Sequence, residues 1–185
     1  MSSLPGCSQT PETTWNNACR KITKQPGGVN ALFIGATNVE GTITAVTNAS
    51  QWESANTAGL VEALWKIKGT VGEPSETTAQ LSGDEPEQVT NRQRQLDIEY
   101  YHDPYNVNAK AWVDGFNANV GSYKLAYQVG EANGTNYVRS WISGATGSAA
   151  IIEPDNTNSL VYIKIRITWT DETELNIDIM PSIDI

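Results

Sequence analysis

The sequence predicts a mainly β domain of antiparallel strands with one flanking α-helix, and three observations carry that expectation. Alternation of apolar and polar residues recurs along most of the chain. It is clearest over residues 160–169, where Val161, Ile163, Ile165, Ile167 and Trp169 hold one phase and Tyr162, Lys164, Arg166 and Thr168 the other. A single segment shows the helical period instead. There is no internal repeat and no second core pattern, so the elements belong to one layered unit. A chain of 185 residues is long enough to bury a sizeable core and still carry arms.

Residues 1–28 read as an N-terminal arm, rich in Ser, Thr, Asn, Pro and Gly and closing on Pro26-Gly27-Gly28. The arm is locally basic through Arg20, Lys21 and Lys24 against Glu12, and Trp15 is its one large apolar group. The β domain is expected over 29–185. Short strands are expected at 31–34 and 42–46, each bounded by Gly or Asn. A longer one follows at 60–71, with Val61, Ala63, Trp65, Ile67 and Val71 on one face and Glu62, Lys66 and Lys68 on the other. Residues 72–90 then hold five acids (Glu73, Glu76, Asp84, Glu85 and Glu87) and no Lys or Arg. With two prolines and Ser82-Gly83-Asp84 at its tip, this is either a solvated loop or an exposed hairpin that orders against a neighbour.

The strand at 91–101 sets Leu96, Ile98 and Tyr100 against Gln95, Asp97 and Glu99. At Asp103-Pro104 the period switches: a carboxylate caps the free amides, and proline takes the first helical position, where no amide is needed. Tyr105, Ala109, Trp112, Val113 and Phe116 form the apolar stripe of a helix over 104–120 that ends at Gly121. Gly115 inside it costs about 1 kcal/mol relative to Ala. A hairpin follows, 123–129 and 137–143 around Glu131-Ala132-Asn133-Gly134. Residues 144–158 read as a link with a short strand near 149–152. After the strand at 160–169, alternation through Leu175, Ile177, Ile179, Ile183 and Ile185 predicts a C-terminal strand extension over 171–185.

Composition excludes several functions. A net charge of −9 and a pI near 4.5 argue against a surface that grips nucleic-acid phosphates. No apolar run is long enough to span a membrane, and residues 1–10 lack a secretory signal pattern. Histidine occurs once, His102, which precedes the helix cap and reads as an ordinary surface or hydrogen-bonded residue. No nucleophile elbow, dinucleotide fingerprint or phosphate loop is present. Cys7 and Cys19 are free thiols or a short-loop disulfide, and with His102 they lack metal-ligand spacing. No enzyme activity, metal or cofactor is therefore expected, although counting leaves a two-carboxylate glycosidase open. The tryptophans Trp65, Trp112, Trp141 and Trp169 lie on or near apolar phases and are assigned to the core.

The order of elements is itself informative. Gln95-Leu96-Asp97-Ile98-Glu99-Tyr100, the helix over 104–120, Tyr137-Val138-Arg139-Ser140-Trp141-Ile142-Ser143, and the strand 159–169 together resemble the tail tube (major tail) proteins of tailed bacteriophages. Upstream, Cys19-Arg20 and the stretch from Pro26-Gly27-Gly28 to Ile34 are similar to the opening of phage virion proteins. The resemblance covers about residues 19–170 and rests on element pattern. It implies an antiparallel β-sandwich or barrel of the tail-tube type, a virion location and assembly in the bacterial host cytoplasm. It further implies hexameric rings that stack into a tube, or stand as one adaptor ring, with other tail proteins as partners. DNA would pass through the bore without specific binding. In such a family the helix packs outside the sheet, while a long loop and the terminal arms reach neighbouring subunits.

The charges suggest two further expectations. A net-negative bore would repel phosphates and ease DNA transit. The basic residues Arg20, Lys21 and Lys24 of one subunit would meet Glu73, Glu76, Asp84, Glu85 and Glu87 of another, the alternative being two unrelated solvated segments. The alternative reading from another class is a carbohydrate-binding or adhesive β-sandwich, drawn from Tyr100, Tyr101 and Tyr105 lying close in sequence.

Overall fold

The computed structural model describes residues 28–79, 88–101, 108–130, 135–153, 160–170, 176–183 and 185. Nine strands form one antiparallel sheet: β1 (Val29–Gly35), β2 (Val61–Val71), β3 (Ser75–Ala79), β4 (Gln88–Tyr100), β5 (Lys124–Gly130), β6 (Asn136–Ile142), β7 (Thr146–Ile152), β8 (Tyr162–Thr170) and β9 (Asn176–Ile179). Their spatial order is β7-β8-β4-β2-β1-β5-β6-β9, with β3 paired to β4 off that path. Three helices accompany them, α1 (Val39–Thr42), α2 (Ala49–Thr57) and α3 (Ala109–Asn119). The fold is therefore mainly β and antiparallel, as the alternation requires, but it carries three helices where one was expected.

Chain connectivity forces the sheet to roll. β6 and β7 are joined by residues 143–145 alone, and so short a link reaches about 14 Å at most. Six strand-to-strand steps separate them in the sheet, about 29 Å if it were flat. Gly144, at φ +63°, makes the turn between them, and Ala145 beside it is buried. The roll is not closed by hydrogen bonds: no ladder joins β7 to β6 or β9 among the described strands.

Two cores form, one on each face. The first is lined by every strand from β7 across to β6, including Leu96, Ile98, Leu125, Ile142, Ile163, Ile165, Ile167 and Trp169, and it receives Ala109, Val113 and Phe116 of α3. The second holds Ala31, Phe33, Val61, Ala126 and Val138 of the sheet beneath Val39, Ile43, Trp52 and Ala55 of the α1–α2 region. Burying Trp52 completely builds an aromatic cluster: its ring lies 4.8 Å from Phe33 and 5.6 Å from Trp141, and Phe33 lies 5.4 Å from Trp65.

The two cores explain why β2 does not keep one apolar face. Val61, Ala63 and Trp65 enter the second core, whereas Leu64, Ile67 and Val71 enter the first. Leu64 before Lys66 and Ile67 and Val71 after it reach the first core from opposite phases of the alternation, and Lys66, at φ +58°, is where the phase resets. β1 makes the matching adjustment at Asn30: its register shifts there against both β2 and β5. Val29 thus joins the first core together with Leu32 and Ile34, while Ala31 and Phe33 face the second.

Other expectations change in similar ways. The strand expected at 42–46 is instead the end of α1 and the loop leading to α2. Strand β7 is full length where only a short strand near 149–152 was expected. α3 begins at Ala109 with Asn108 at its cap position; the Asp103-Pro104 start signal and His102 lie outside the described residues. The C-terminal strand pairs within the same chain, β9 against β6, with Tyr137 opposite Ile179 and Ser140 opposite Asn176. Its phase is the reverse of the expected one. Ile177 and Ile179 are 54% and 60% exposed, and Met180 is the buried residue. Ile183 and Ile185 then pack on the second core, where Trp65 Nε1 donates to the Ile185 carbonyl at 2.9 Å.

Candidate functional site

Three features of this framework can meet a partner. The first is a ribbon. β2 and β3 are successive stretches of one arm, and β4 runs back along both: Val71 faces Leu96, Gly72 N donates to the Gln95 carbonyl at 2.9 Å, and Ser75 faces Gln93. The last described row of β8 pairs Thr170 with Gln93. Among the described residues, β3 and β4 beyond that row pair only with each other, as a two-stranded ribbon. Ser75, Glu76, Thr77 and Thr78 are all exposed, and Arg92 ties the arms together across the ribbon through Glu76 at 2.7 Å. The segment 72–90 is thus a hairpin in its described part, with residues 80–87 outside the described set.

The second feature is the polar face of β2, β4, β8 and β7. Directly opposed residues share a face, which places Lys68, Glu99, Lys164 and Ala150 in one row and Thr70, Asp97, Arg166 and Ser148 in the next. Signs alternate across the strands, with Arg166 Nε 2.8 Å from Asp97 and Lys68 Nζ 3.6 Å from Glu99. Burial alone would raise the Asp97 pKa, but hydrogen bonds from Arg166 and Gln95 and the charges of Arg166 and Lys164 outweigh it and hold it below the ordinary carboxylate value. Tyr101 donates to Glu99 at 2.7 Å, and that bond, with slight burial and the Glu99 charge, raises its own pKa. The face carries three bases and two acids in these rows, so it is not the net-negative surface expected of a bore.

The third feature is a cleft of about 400 Å³ between the loop at 43–47 and the β6–β9 pair, lined also by Glu40, Ser140, Trp141, Asn176 and Asp178. Helix α2 fixes the loop wall. Gln51 accepts from Ala45 N at 2.9 Å and donates to Thr44 Oγ1 at 3.0 Å, and Trp52 Nε1 donates to the Val46 carbonyl at 2.9 Å. Lys124 holds Glu40 at 2.8 Å.

The residues singled out in the sequence fall unevenly on these features. Glu73 and Glu76 lie at the base and on the edge of the ribbon. Arg20, Lys21, Lys24, Asp84, Glu85 and Glu87 lie outside the described residues, as do Cys7, Cys19 and Tyr105. Tyr100 and Tyr101 do not form a common platform. Tyr100 packs on the first core, while Tyr101 contacts Tyr162 at 5.4 Å on the polar side, because consecutive strand residues point to opposite faces. The cleft escaped sequence reasoning altogether, since its walls come from α1, the α2 loop, β6 and β9. Among the described residues no group of three or more His, Cys, Asp or Glu could hold a metal ion, and no helix is long and apolar enough to cross a membrane. No protein-family model matches the chain, and no curated protein is significantly similar to it in sequence.

Proposed function

We propose that this chain is a virion structural protein that assembles with copies of itself into hexameric rings, stacked as a tail tube or standing as a tail adaptor ring that conducts DNA during ejection. The observation that carries the reading is the β3–β4 ribbon. It extends past the last described row shared with β8 and exposes every side chain from Ser75 to Thr78. A two-stranded ribbon without an apolar face has little stability alone, and a neighbouring subunit supplies the surface it lacks. The open β9 edge supports the same reading, because exposed Ile177 and Ile179 on an edge strand favour association.

Sedimentation velocity and negative-stain microscopy of the purified full chain test the proposal. Rings or tubes, with a species at six times the 20.1 kDa subunit mass, are the expected result. A monomer that persists at millimolar concentration overturns it. Excising residues 72–90 should leave a folded monomer that no longer assembles. Polymerisation of that variant would remove the ribbon from the interface.

A further inference from the structure

The cleft beneath the 43–47 loop has a chemistry that ring assembly does not use, and we infer that it binds a saccharide. Its volume of about 400 Å³ lies in the range of small-ligand sites. Its walls are fixed before any ligand arrives: Gln51 clamps Thr44 and Ala45, and Trp52 holds the Val46 carbonyl, so little ordering cost falls on binding. Trp141 contributes an aromatic wall. It packs on Trp52 at 5.6 Å and is only partly buried, leaving indole surface toward the cleft. A sugar presents an apolar C–H face to such a ring and hydroxyls around its rim.

The polar groups match that rim. Asp178 and Glu40 accept hydroxyl protons, and the Asn176 amide both donates and accepts. A cationic ligand suits the cleft less well. Lys124 already meets the Glu40 charge at 2.8 Å, which leaves one carboxylate, Asp178, against an added positive charge. A neutral ligand with many hydroxyls uses Glu40, Asn176 and Asp178 together without stranding a charge. The inference does not rest on the ring proposal: the cleft shares β9 with the edge proposed for association, but Asn176 and Asp178 alternate with Ile177 and Ile179 and so lie on the opposite face of the strand.

The test begins with a glycan array probed with the full chain, followed by titration of the bound oligosaccharide while tryptophan fluorescence is read. Arginine and methylammonium are titrated in parallel. Saturable glycan binding is expected, with affinity reduced at least tenfold in Asp178→Asn and in Asn176→Ala. Both variants lie on the short edge strand, and an unchanged melting temperature shows that they remain folded. The inference is overturned if no glycan binds, if both variants bind as tightly as the parent, or if only the cations bind.

Discussion

Asn117 of α3 brackets Ala149 of β7: the Ala149 amide donates to Asn117 Oδ1 at 2.6 Å, and Asn117 Nδ2 donates back to the Ala149 carbonyl at 3.0 Å. Both main-chain groups of Ala149 point away from β8. One side chain therefore satisfies an edge that would otherwise be open, and it anchors the helix across the mouth of the roll. Asn117→Ala should cost about 1–3 kcal/mol in urea unfolding and speed hydrogen exchange of the Ala149 amide. Asn117→Asp should cost at least as much at neutral pH, because a second carboxylate oxygen then faces the carbonyl. Wild-type stability in both variants would remove the edge-capping role.

Two glycines should respond in opposite directions to alanine. A Cβ on Gly147 would lie 2.3 Å from the Arg166 carbonyl oxygen, a backbone atom that cannot swing aside. Gly147→Ala should destabilise by about 2 kcal/mol or more by prying β7 from β8. Gly115 in α3 has nothing within 4 Å of the added carbon, and Gly115→Ala should stabilise by about 0.5–1 kcal/mol through helix propensity and a less free unfolded chain. Denaturant midpoints of the two variants check both signs.

Lys66 is exposed, yet its backbone at φ +58° marks the change of phase by which Leu64 before it and Ile67 and Val71 after it face the same core. A left-handed conformation costs an L-residue about 1–2 kcal/mol and is worst for β-branched side chains. Lys66→Val should therefore lower the melting temperature, whereas Lys66→Asn, which tolerates the conformation, should match or exceed the parent. Equal melting of the Val and Asn variants would show that the positive φ is not required.

Acid should reach the polar face through Asp97. Its folded pKa lies below the ordinary carboxylate value of 3.8, so its contribution is complete above that value and is lost as pH falls through the lower folded one. Asp97→Asn should be less stable than the parent at pH 7, and the gap should narrow below about pH 4. A gap constant from pH 7 to pH 2, read from urea midpoints, would show that the Arg166 and Gln95 hydrogen bonds confer no charge-state preference.

Legibility of the fold in the sequence followed how one-sided each element is. β8 was plain because one of its faces is buried along its length, from Ile163 to Trp169. β2 was half plain, since alternation cannot reveal a strand whose phase shifts at Lys66. α2 gave almost no signal: Ala-Ser-Gln-Trp-Glu-Ser-Ala-Asn-Thr is poor in strong helix formers, and tertiary burial of Trp52 and Ala55 holds it. Its one local cue was Asn48, whose side chain accepts from Ser50 N at 3.1 Å. β9 misled because an edge strand can leave its apolar phase in solvent. The ribbon was visible as an acidic excursion, but its pairing was not, and the cleft depended on segments far apart in the chain.

The rolled sheet also has a kinetic consequence. β4 takes β8 as its partner across 69 residues, the separation between Asp97 and Arg166, and β1 waits between β2 and the later β5. During synthesis the unpaired side of β4 stays open until α3, β5, β6 and β7 have emerged. At about 5–20 residues per second that is a delay of several seconds, with loop-closure entropy to overcome at its end. The native sheet thus cannot be completed on the nascent chain before β8 has emerged, however early β1 and β2 pair.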